Sequence, residues 1–169
     1  MSEDAGLTVR VAPGVGAIDA AAWDALAGGN PFMRHAFLTA LEDSGSVGEG
    51  TGWQPLPMVL EDARGRLLGA LPAYGKSHSQ GEYVFDHGWA DAWHRAGGDY
   101  YPKLQIAAPF TPATGPRVLA PDPRHAMALL RAAERLCQGS NLSSAHATFV
   151  EQAQHPWFDA AGWLKREDI

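Results

Sequence analysis

The stretch KLQIAAPFTPATGPR, residues 103–117, decides the fold because it joins a predicted central strand to a tight loop. Leu104, Ile106 and Ala108 alternate with residues that are polar or small, a pattern that predicts a partly buried strand. Pro109 cannot donate a hydrogen bond to a neighbouring strand, so we expect regular pairing to end there.

The loop that follows this strand has the composition of an anion-binding turn. Residues 111–117 carry two threonine hydroxyls, Gly115 and the cation of Arg117. Backbone N–H groups together with a guanidinium predict a cradle for an anionic group. The alternative for the same residues is a rigid Pro-Gly connector with an arginine on the surface.

Composition limits the classes of protein to consider. The chain has 169 residues, of which 46% are hydrophobic and 19% charged, as expected of one globular domain with a core. A formal net charge of -6 argues against a nucleic-acid-binding surface. Cys137 is the only cysteine, which excludes an intrachain disulfide. The sequence contains neither a membrane span nor a basic signal peptide, so we expect a cytoplasmic protein.

Local patterns predict an alternation of strands and helices along the chain. Two strands, Leu56–Glu61 and Arg66–Lys76, form a predicted antiparallel hairpin with a bulge or edge at Pro72. The sequence therefore predicts one α/β (α+β) domain over residues 1–169, with a mixed, mostly antiparallel sheet and helices on both faces. The other predicted elements are a strand over 7–11, a helix over 20–27 capped by Asp19, a helix starting at Asn30-Pro31, a helix over 90–96, a helix starting at Asp122-Pro123, a strand over 145–150 and a short helix over 152–162.

Five motifs carry a resemblance to a known family: NPF at 30–32, GEYVFD at 81–86, WADA at 89–92, YYPK at 100–103 and PFTP with GPR within 109–117. They are similar to motifs of the bacterial FemAB-like, GNAT-related family labelled "peptidoglycan biosynthesis/recognition protein". The order of elements also resembles the GNAT fold of N-acetyltransferases. Members of the family are longer and have a second GNAT-like half, so the resemblance implies that this chain is the N-terminal half. The loop does not match the usual GNAT phosphate-loop pattern.

The resemblance implies a set of candidate site residues. In acyl transfer a neutral amine attacks an acyl carbonyl while a base removes its proton and an acid protonates the leaving group. The candidate bases are Glu82, Asp86 and His87, and the candidate acid is Tyr101 or Tyr100. The candidate cofactor-binding residues are Ala108, Phe110, Thr111, Thr114, Gly115 and Arg117, and Lys103 would add a second cation. Helix capping for Asp86 and core packing for the tyrosines are the alternatives.

Two further groups of residues need a role. The histidines and aspartates between residues 78 and 94 lack metal-ligand spacing, so we expect no metal. The aromatic side chains between residues 83 and 101 are expected to lie mostly in the core, with a wall of an acceptor groove as the alternative. This aromatic set is Tyr83, Phe85, Trp89, Trp93, Tyr100 and Tyr101.

Taken together, the resemblance implies transfer of an acyl or aminoacyl group to an amine, related to the cell wall. Acetyl-CoA or another acyl-CoA would be the cosubstrate, and the acceptor would be a small molecule or a peptide. The alternative function is a non-catalytic GNAT-like module that binds for or supports a second, catalytic half. An exposed sheet edge would also allow a homodimer or pairing with that half.

Overall fold

The computed structural model describes residues 6–84 and 86–167. Within these ranges no helix has the length and hydropathy needed to span a membrane. The strands are β1 (Thr8–Val11), β2 (Trp53–Pro55), β3 (Met58–Glu61), β4 (Leu67–Leu71), β5 (Ala73–Lys76), β6 (Lys103–Ile106) and β7 (Ala145–Ala147). The α-helices are α1 (Ala20–Ala27), α2 (His35–Asp43), α3 (His87–Arg95), α4 (Pro123–Gly139) and α5 (His155–Ala161).

The strands form two sheets that meet at Pro72. One sheet has the order β1-β3-β4 and is antiparallel, and the other has the order β2-β5-β6-β7, in which only β6 and β7 run parallel. The predicted mixed, mostly antiparallel fold and the hairpin, seen as β3 and β4, are confirmed. The single strand predicted over Arg66–Lys76 is wrong, because Pro72 separates β4 from β5 and the chain passes there into the second sheet.

Helices cover both faces of the first sheet, as predicted. Leu60 and Leu71 face α4 and α5, whereas the neighbouring Val59 and Ala70 face α1 and α2 in a second core cluster with Trp23. This division follows from the strand geometry, because successive side chains of a strand point to opposite faces.

Two predicted helix starts are confirmed, because the predicted capping side chains form their hydrogen bonds. The Asp19 carboxylate accepts a hydrogen bond of 2.8 Å from the Ala22 N–H, and α1 ends at Gly28, whose φ of 64° is left-handed. The Asp122 carboxylate accepts one of 3.0 Å from the His125 N–H at the start of α4.

The helix predicted to start at Asn30-Pro31 begins later. The Asn30 side chain caps the Phe32 N–H, but this turn is a 3-10 helix over Pro31–Met33. Arg34 is extended, and α2 begins at His35, whose N–H donates to the Asp24 carboxylate at 2.7 Å. A side chain from α1 therefore supplies the cap that starts α2.

Several boundaries differ from the predicted ones. The strands predicted over 104–108 and 145–150 are shorter, as β6 and β7, because their last residues enter the loops that follow. The helix predicted over 90–96 begins at His87, and the strand β2 (Trp53–Pro55) was not predicted.

Candidate active site

One face of the second sheet carries a row of polar side chains. In the antiparallel register of β5 and β6, Lys76 lies opposite Lys103 and Tyr74 lies opposite Gln105. On the parallel neighbour β7, His146 is the partner of Gln105. Because paired residues of neighbouring strands share a face, these five side chains lie on the same side of the sheet.

Two lysines and two carboxylates meet on this face, and we call Lys76, Glu82, Asp86 and Lys103 the charge cluster. The Lys103 ammonium lies 2.8 Å from Glu82 Oε2 and 2.8 Å from Asp86 Oδ2. The Lys76 ammonium lies 3.9 Å from Glu82 Oε1 and 3.7 Å from the centre of the Trp53 ring. All four residues are at most 3% exposed. The cluster is thus a closed and desolvated set of opposite charges.

Hydroxyl groups extend the cluster. The Tyr100 hydroxyl donates to Asp86 Oδ2 at 2.8 Å, and the Ser79 hydroxyl accepts from the Lys103 ammonium at 3.2 Å. The Tyr101 hydroxyl lies 2.6 Å from Ser79 Oγ. Tyr101 therefore reaches Lys103 through one serine.

The charge cluster also contains buried oxygen atoms that receive no hydrogen bond from the described residues. Glu82 Oε1 and Asp86 Oδ1 are buried and have no hydrogen-bond partner among these residues, and the same holds for Tyr74 Oη and Gln105 Oε1 on the same face. Buried polar atoms without partners are rare in folded proteins and are costly. Their concentration on one face points to a site that exchanges protons or hydrogen bonds.

Burial shifts the pKa values of two members of the cluster toward each other. Burial raises the pKa of Glu82, although the charges of Lys103 and Lys76 oppose the shift. Burial lowers the pKa of Lys76 to about 8, although the Glu82 carboxylate favours its charged form. Perturbed acid and base groups in contact are typical of catalytic centres, and they also occur in structural ion-pair networks.

The neighbouring titratable groups keep one charge state near neutral pH. Burial alone would raise the pKa of Asp86, but hydrogen bonds from Lys103 and Tyr100 outweigh it, so the Asp86 pKa is lowered. Burial and the charge of Lys103 lower the pKa of His146 to about 4. Asp86 is therefore a carboxylate and His146 a neutral imidazole at pH 7.

The structure brings four of the five candidate catalytic residues together, and the Tyr100 hydroxyl is the one that donates directly to Asp86. Glu82 and Asp86 share Lys103, and Tyr101 is linked to it by Ser79. His87 is the first residue of α3, is exposed and makes no hydrogen bond to the charge cluster. The catalytic roles stay predictions, and His87 lies outside the group that the geometry favours.

Arg117 was predicted to bind an anion, with a surface position on a rigid connector as the alternative, and the structure contradicts that alternative. Arg117 is 1% exposed. Its guanidinium donates to the carbonyl oxygens of Ala113 at 2.6 Å, Thr148 at 2.7 Å and Pro116 at 3.1 Å. Burial lowers its pKa to about 10. Arg117 therefore holds the loop in shape through these three carbonyl oxygens, and its role in anion binding stays a prediction.

The backbone of the same loop is also engaged within the protein. The N–H groups of Thr111, Gly115 and Arg117 donate to Ala108 O at 3.3 Å, Phe149 O at 3.0 Å and Gln154 Oε1 at 2.8 Å. A Cβ atom on Gly115 would lie 2.6 Å from the Asn30 amide nitrogen, so close packing explains this glycine. These three N–H groups already donate to atoms of the protein and are not available to a phosphate group.

The other predicted cofactor-binding residues do not share one surface. Ala108 is buried in the core cluster with α1, whereas Phe110 is 40% exposed and Thr114 is exposed. Binding of an acyl-CoA by this loop stays a prediction.

The aromatic set is divided between core and surface. The prediction of a core position is wrong for Trp89 and Trp93, which are 60% and 54% exposed, because α3 buries none of its residues. It is also wrong for Tyr83, which precedes α3 and is 55% exposed. Tyr100 and Tyr101 are half-buried beside the charge cluster. Phe85 lies outside the described residues.

Sequence reasoning did not single out Lys76, Ser79 or His146. Lys76 ends the apolar strand β5, and a lysine at the end of such a strand was the available signal. The register of β5 against β6 places Lys76 opposite Lys103, and the segment that follows β5 brings the Glu82 carboxylate to both lysines.

An open groove of about 520 Å³ lies elsewhere and shares no residue with the charge cluster. It lies between the end of α1 and the segment 151–157. The two features are therefore treated as separate sites, and the charge cluster is the candidate for chemistry because it holds the perturbed acid and base groups.

Comparisons with known proteins place the chain in a family. No match to a protein of curated function was found. A crystal structure of a Trypanosoma brucei acetyltransferase matches 96% of this chain and 96% of its own, with 14% identity and a TM-score of 0.46. The model of the FemAB-like family, described as peptidoglycan biosynthesis/recognition, matches residues 14–169. Since this match covers almost the whole chain, the protein belongs to the FemAB-like family.

Proposed function

We propose that the protein transfers an acyl or aminoacyl group to an amine in a peptidoglycan context. Membership in the FemAB-like family supports that context. The proposal depends on the position of the Lys103 ammonium, which lies 2.8 Å from one oxygen of Glu82 and 2.8 Å from one oxygen of Asp86. The second oxygen of each carboxylate has no hydrogen-bond partner in the described chain.

The proposed chemistry uses the cluster to move one proton. As the acceptor nitrogen forms its bond to the acyl carbon, it loses a proton to Glu82 Oε1, and the bond between the acyl carbon and the donor breaks. Lys103 holds Glu82 in place and balances the carboxylate charge before the transfer. Tyr101, linked to the cluster through Ser79, returns a proton to the leaving group.

Burial sets a condition on this mechanism. Because Glu82 is only 3% exposed, the acceptor amine reaches Oε1 only when the segment 79–84 moves aside. The donor is proposed to be an acyl-CoA or another activated acyl compound. No role in phosphate binding is assigned to Arg117, whose guanidinium is used by three carbonyl oxygens.

A second candidate function is recognition without catalysis, as a module that binds for or supports a catalytic partner. The loop over residues 111–117 favours this second function, because the N–H groups of Thr111, Gly115 and Arg117 already donate to acceptors within the protein. In that case the charge cluster is a structural network that specifies how residues 79–86 pack on the second sheet.

Two measurements separate the two functions. Calorimetric titration with CoA and acetyl-CoA tests donor binding, and release of CoA in the presence of lysine-containing muropeptides tests transfer. We expect Glu82→Gln to lower turnover about a hundredfold or more, within the range of general base catalysis, while the exposed Glu49→Gln keeps wild-type turnover. Absence of heat, thermal shift and turnover at millimolar ligand would support the recognition module.

A further inference from the structure

Residues 79–82 lie over the charge cluster, and their own composition does not anchor them. The sequence of this segment, SQGE, contains no large apolar side chain. The helix α3, which follows shortly after it, buries none of its residues and adds no anchor from that side. Segments with few buried apolar contacts open locally at a smaller free-energy cost than the core. The segment 79–82, called the lid below, is therefore held by contacts that other parts of the chain supply.

Hydrogen bonds from the second sheet and from the loop after β6 hold the backbone of the lid. The carbonyl oxygen of Gln80 accepts from the Trp53 indole N–H at 3.1 Å and from the Lys76 ammonium at 3.1 Å. The carbonyl oxygen of Gly81 accepts from the Phe110 N–H at 3.1 Å. Two successive carbonyl groups of the lid thus depend on donors outside it.

The Phe110 ring packs directly on the lid. Its centre lies 5.3 Å from the centre of the Trp53 ring, which is itself buried. Gly81 has a left-handed φ of 79°, and a Cβ atom there would lie 2.7 Å from Phe110 Cδ1. Only glycine therefore lets the ring and the lid approach this closely. Because Phe110 is 40% exposed, the ring covers the lid at the surface of the protein.

The backbone on both sides of this contact is strained when the lid is closed. Tyr83, which comes directly after the lid, has a φ of 56°, and Phe110 has a φ of 59°. This left-handed conformation is uncommon for residues other than glycine and persists only where the surrounding contacts hold it. The closed lid thus depends on a small number of contacts, of which the Phe110 ring is one.

We propose that residues 79–82 form a lid over the charge cluster and that Phe110 is the positioning residue that latches it. In the open state Glu82 leaves Lys103 and meets the acceptor, and closure carries both groups into a site without bulk water. The use of this motion in turnover rests on the proposed function. The latch itself does not require acyl transfer.

The test is the access of a small amine-specific reagent to the lysines of the full chain. The chain has three lysines, of which Lys76 and Lys103 lie under the lid and Lys165 is exposed. A short pulse of the N-hydroxysuccinimide ester of acetic acid, followed by mass spectrometry, gives the acetylation of Lys76 relative to Lys165. We expect Phe110→Ala to raise this ratio about tenfold or more, as the loss of an aromatic contact allows. Phe110→Tyr keeps the ring and should keep the wild-type ratio.

Two controls separate opening of the lid from a general loss of stability. Phe37→Ala removes a partly buried ring that packs against Phe32 at 5.6 Å, away from the lid, and should leave the Lys76 ratio unchanged. Hydrogen exchange of the Leu119 amide, which donates to Ala70 O at 2.9 Å in the first sheet, reports opening of the whole protein.

The outcomes decide the latch independently of the reaction. An unchanged Lys76 ratio in Phe110→Ala would overturn the proposal, and so would a rise that the Leu119 amide exchange matches. A Phe110→Tyr variant as open as Phe110→Ala would also overturn it, because the ring would then not be the cause. Since labelling uses neither donor nor acceptor, a specific rise without detectable acyl transfer would keep the latch and remove only the proposed function.

Discussion

Lys76 and Lys103 lie directly opposite each other on β5 and β6, and both are at most 1% exposed. Like charges that face each other across neighbouring strands are destabilising, and burial adds a desolvation cost. The carboxylates of Glu82 and Asp86 offset this repulsion from the segment that follows β5. The four side chains therefore act as a unit, in which the loss of one leaves another without its counter-charge.

Lys103→Met should be strongly destabilising. It leaves Glu82 and Asp86 buried beside a single lysine, and breaking a buried ion pair costs about 3 to 5 kcal/mol. Urea denaturation followed by circular dichroism measures the free energy of unfolding. The control is Arg10→Met, which breaks the partly exposed ion pair with Glu61 and should cost less than about 1 kcal/mol. Similar losses for the two variants would contradict a strongly coupled cluster.

Lys76 should make stability rise with pH above neutrality. Its pKa is lowered from 10.5 to about 8 in the folded state, so the unfolded state binds more protons between these values. Lys76 should therefore contribute an increase of about 2 kcal/mol to the free energy of unfolding from about pH 7.5 to about pH 9.5. The Cys137 thiol makes a smaller contribution of opposite sign in this window, because burial raises its pKa from 9.0 to about 11. This window lies below the unfolded tyrosine pKa of about 10, where the raised pKa values of Tyr74 and Tyr100 begin to act in the opposite direction.

Denaturation of two variants at both pH values tests this assignment. Lys76→Met should abolish the extra rise, whereas Lys165→Met, which removes a lysine outside the cluster, should keep it. A slope that survives in Lys76→Met would show that another group is responsible.

Arg117→Lys should destabilise the protein although it keeps the charge. One ammonium cannot serve the carbonyl oxygens of Ala113, Pro116 and Thr148, which the guanidinium reaches together. Leaving one or two of them unpaired should cost about 2 to 3 kcal/mol in the free energy of unfolding. Arg64→Lys, in an exposed turn, serves as the matched control and should be neutral. If Arg117→Lys is as stable as the wild type but loses binding of CoA, the arginine has a ligand role after all.

The tryptophans should differ sharply in their contribution to stability. Trp23 is fully buried and its indole N–H donates to Met33 O at 2.8 Å, so Trp23→Ala should cost about 3 to 5 kcal/mol. Trp89 is 60% exposed, and Trp89→Ala should cost less than about 1 kcal/mol. Urea denaturation of both variants gives the comparison. A large loss for Trp89→Ala would mean that a partner covers α3 in solution.

Much of the fold was predictable because its determinants are local. The caps at Asp19 and Asp122 depend on residues within one helical turn, and both formed as predicted. The start of α2 was missed because its cap is Asp24, eleven residues earlier in the chain. Capping preferences, which consider only residues within one helical turn, do not predict such a contact.

The candidate site was predictable only in part. Glu82, Asp86 and Tyr101 were chosen from the sequence for their acid-base chemistry, and the structure places them around Lys103. The role expected of Arg117 depended on exposure. Exposure depends on how the loop folds back on itself, and the composition of the loop does not reveal this.

The sequence by itself determined the alternation of strands and helices, the hairpin of β3 and β4, the capped helices α1 and α4, and the family, because these follow from short-range patterns of residues. Tertiary structure alone decided that Pro72 divides the strands between two sheets and that Lys76 faces Lys103. It also decided that the Arg117 guanidinium is buried among carbonyl oxygens. The physical reason is that strand register, burial and charge pairing join segments far apart in the chain, and no local pattern encodes which of them will meet.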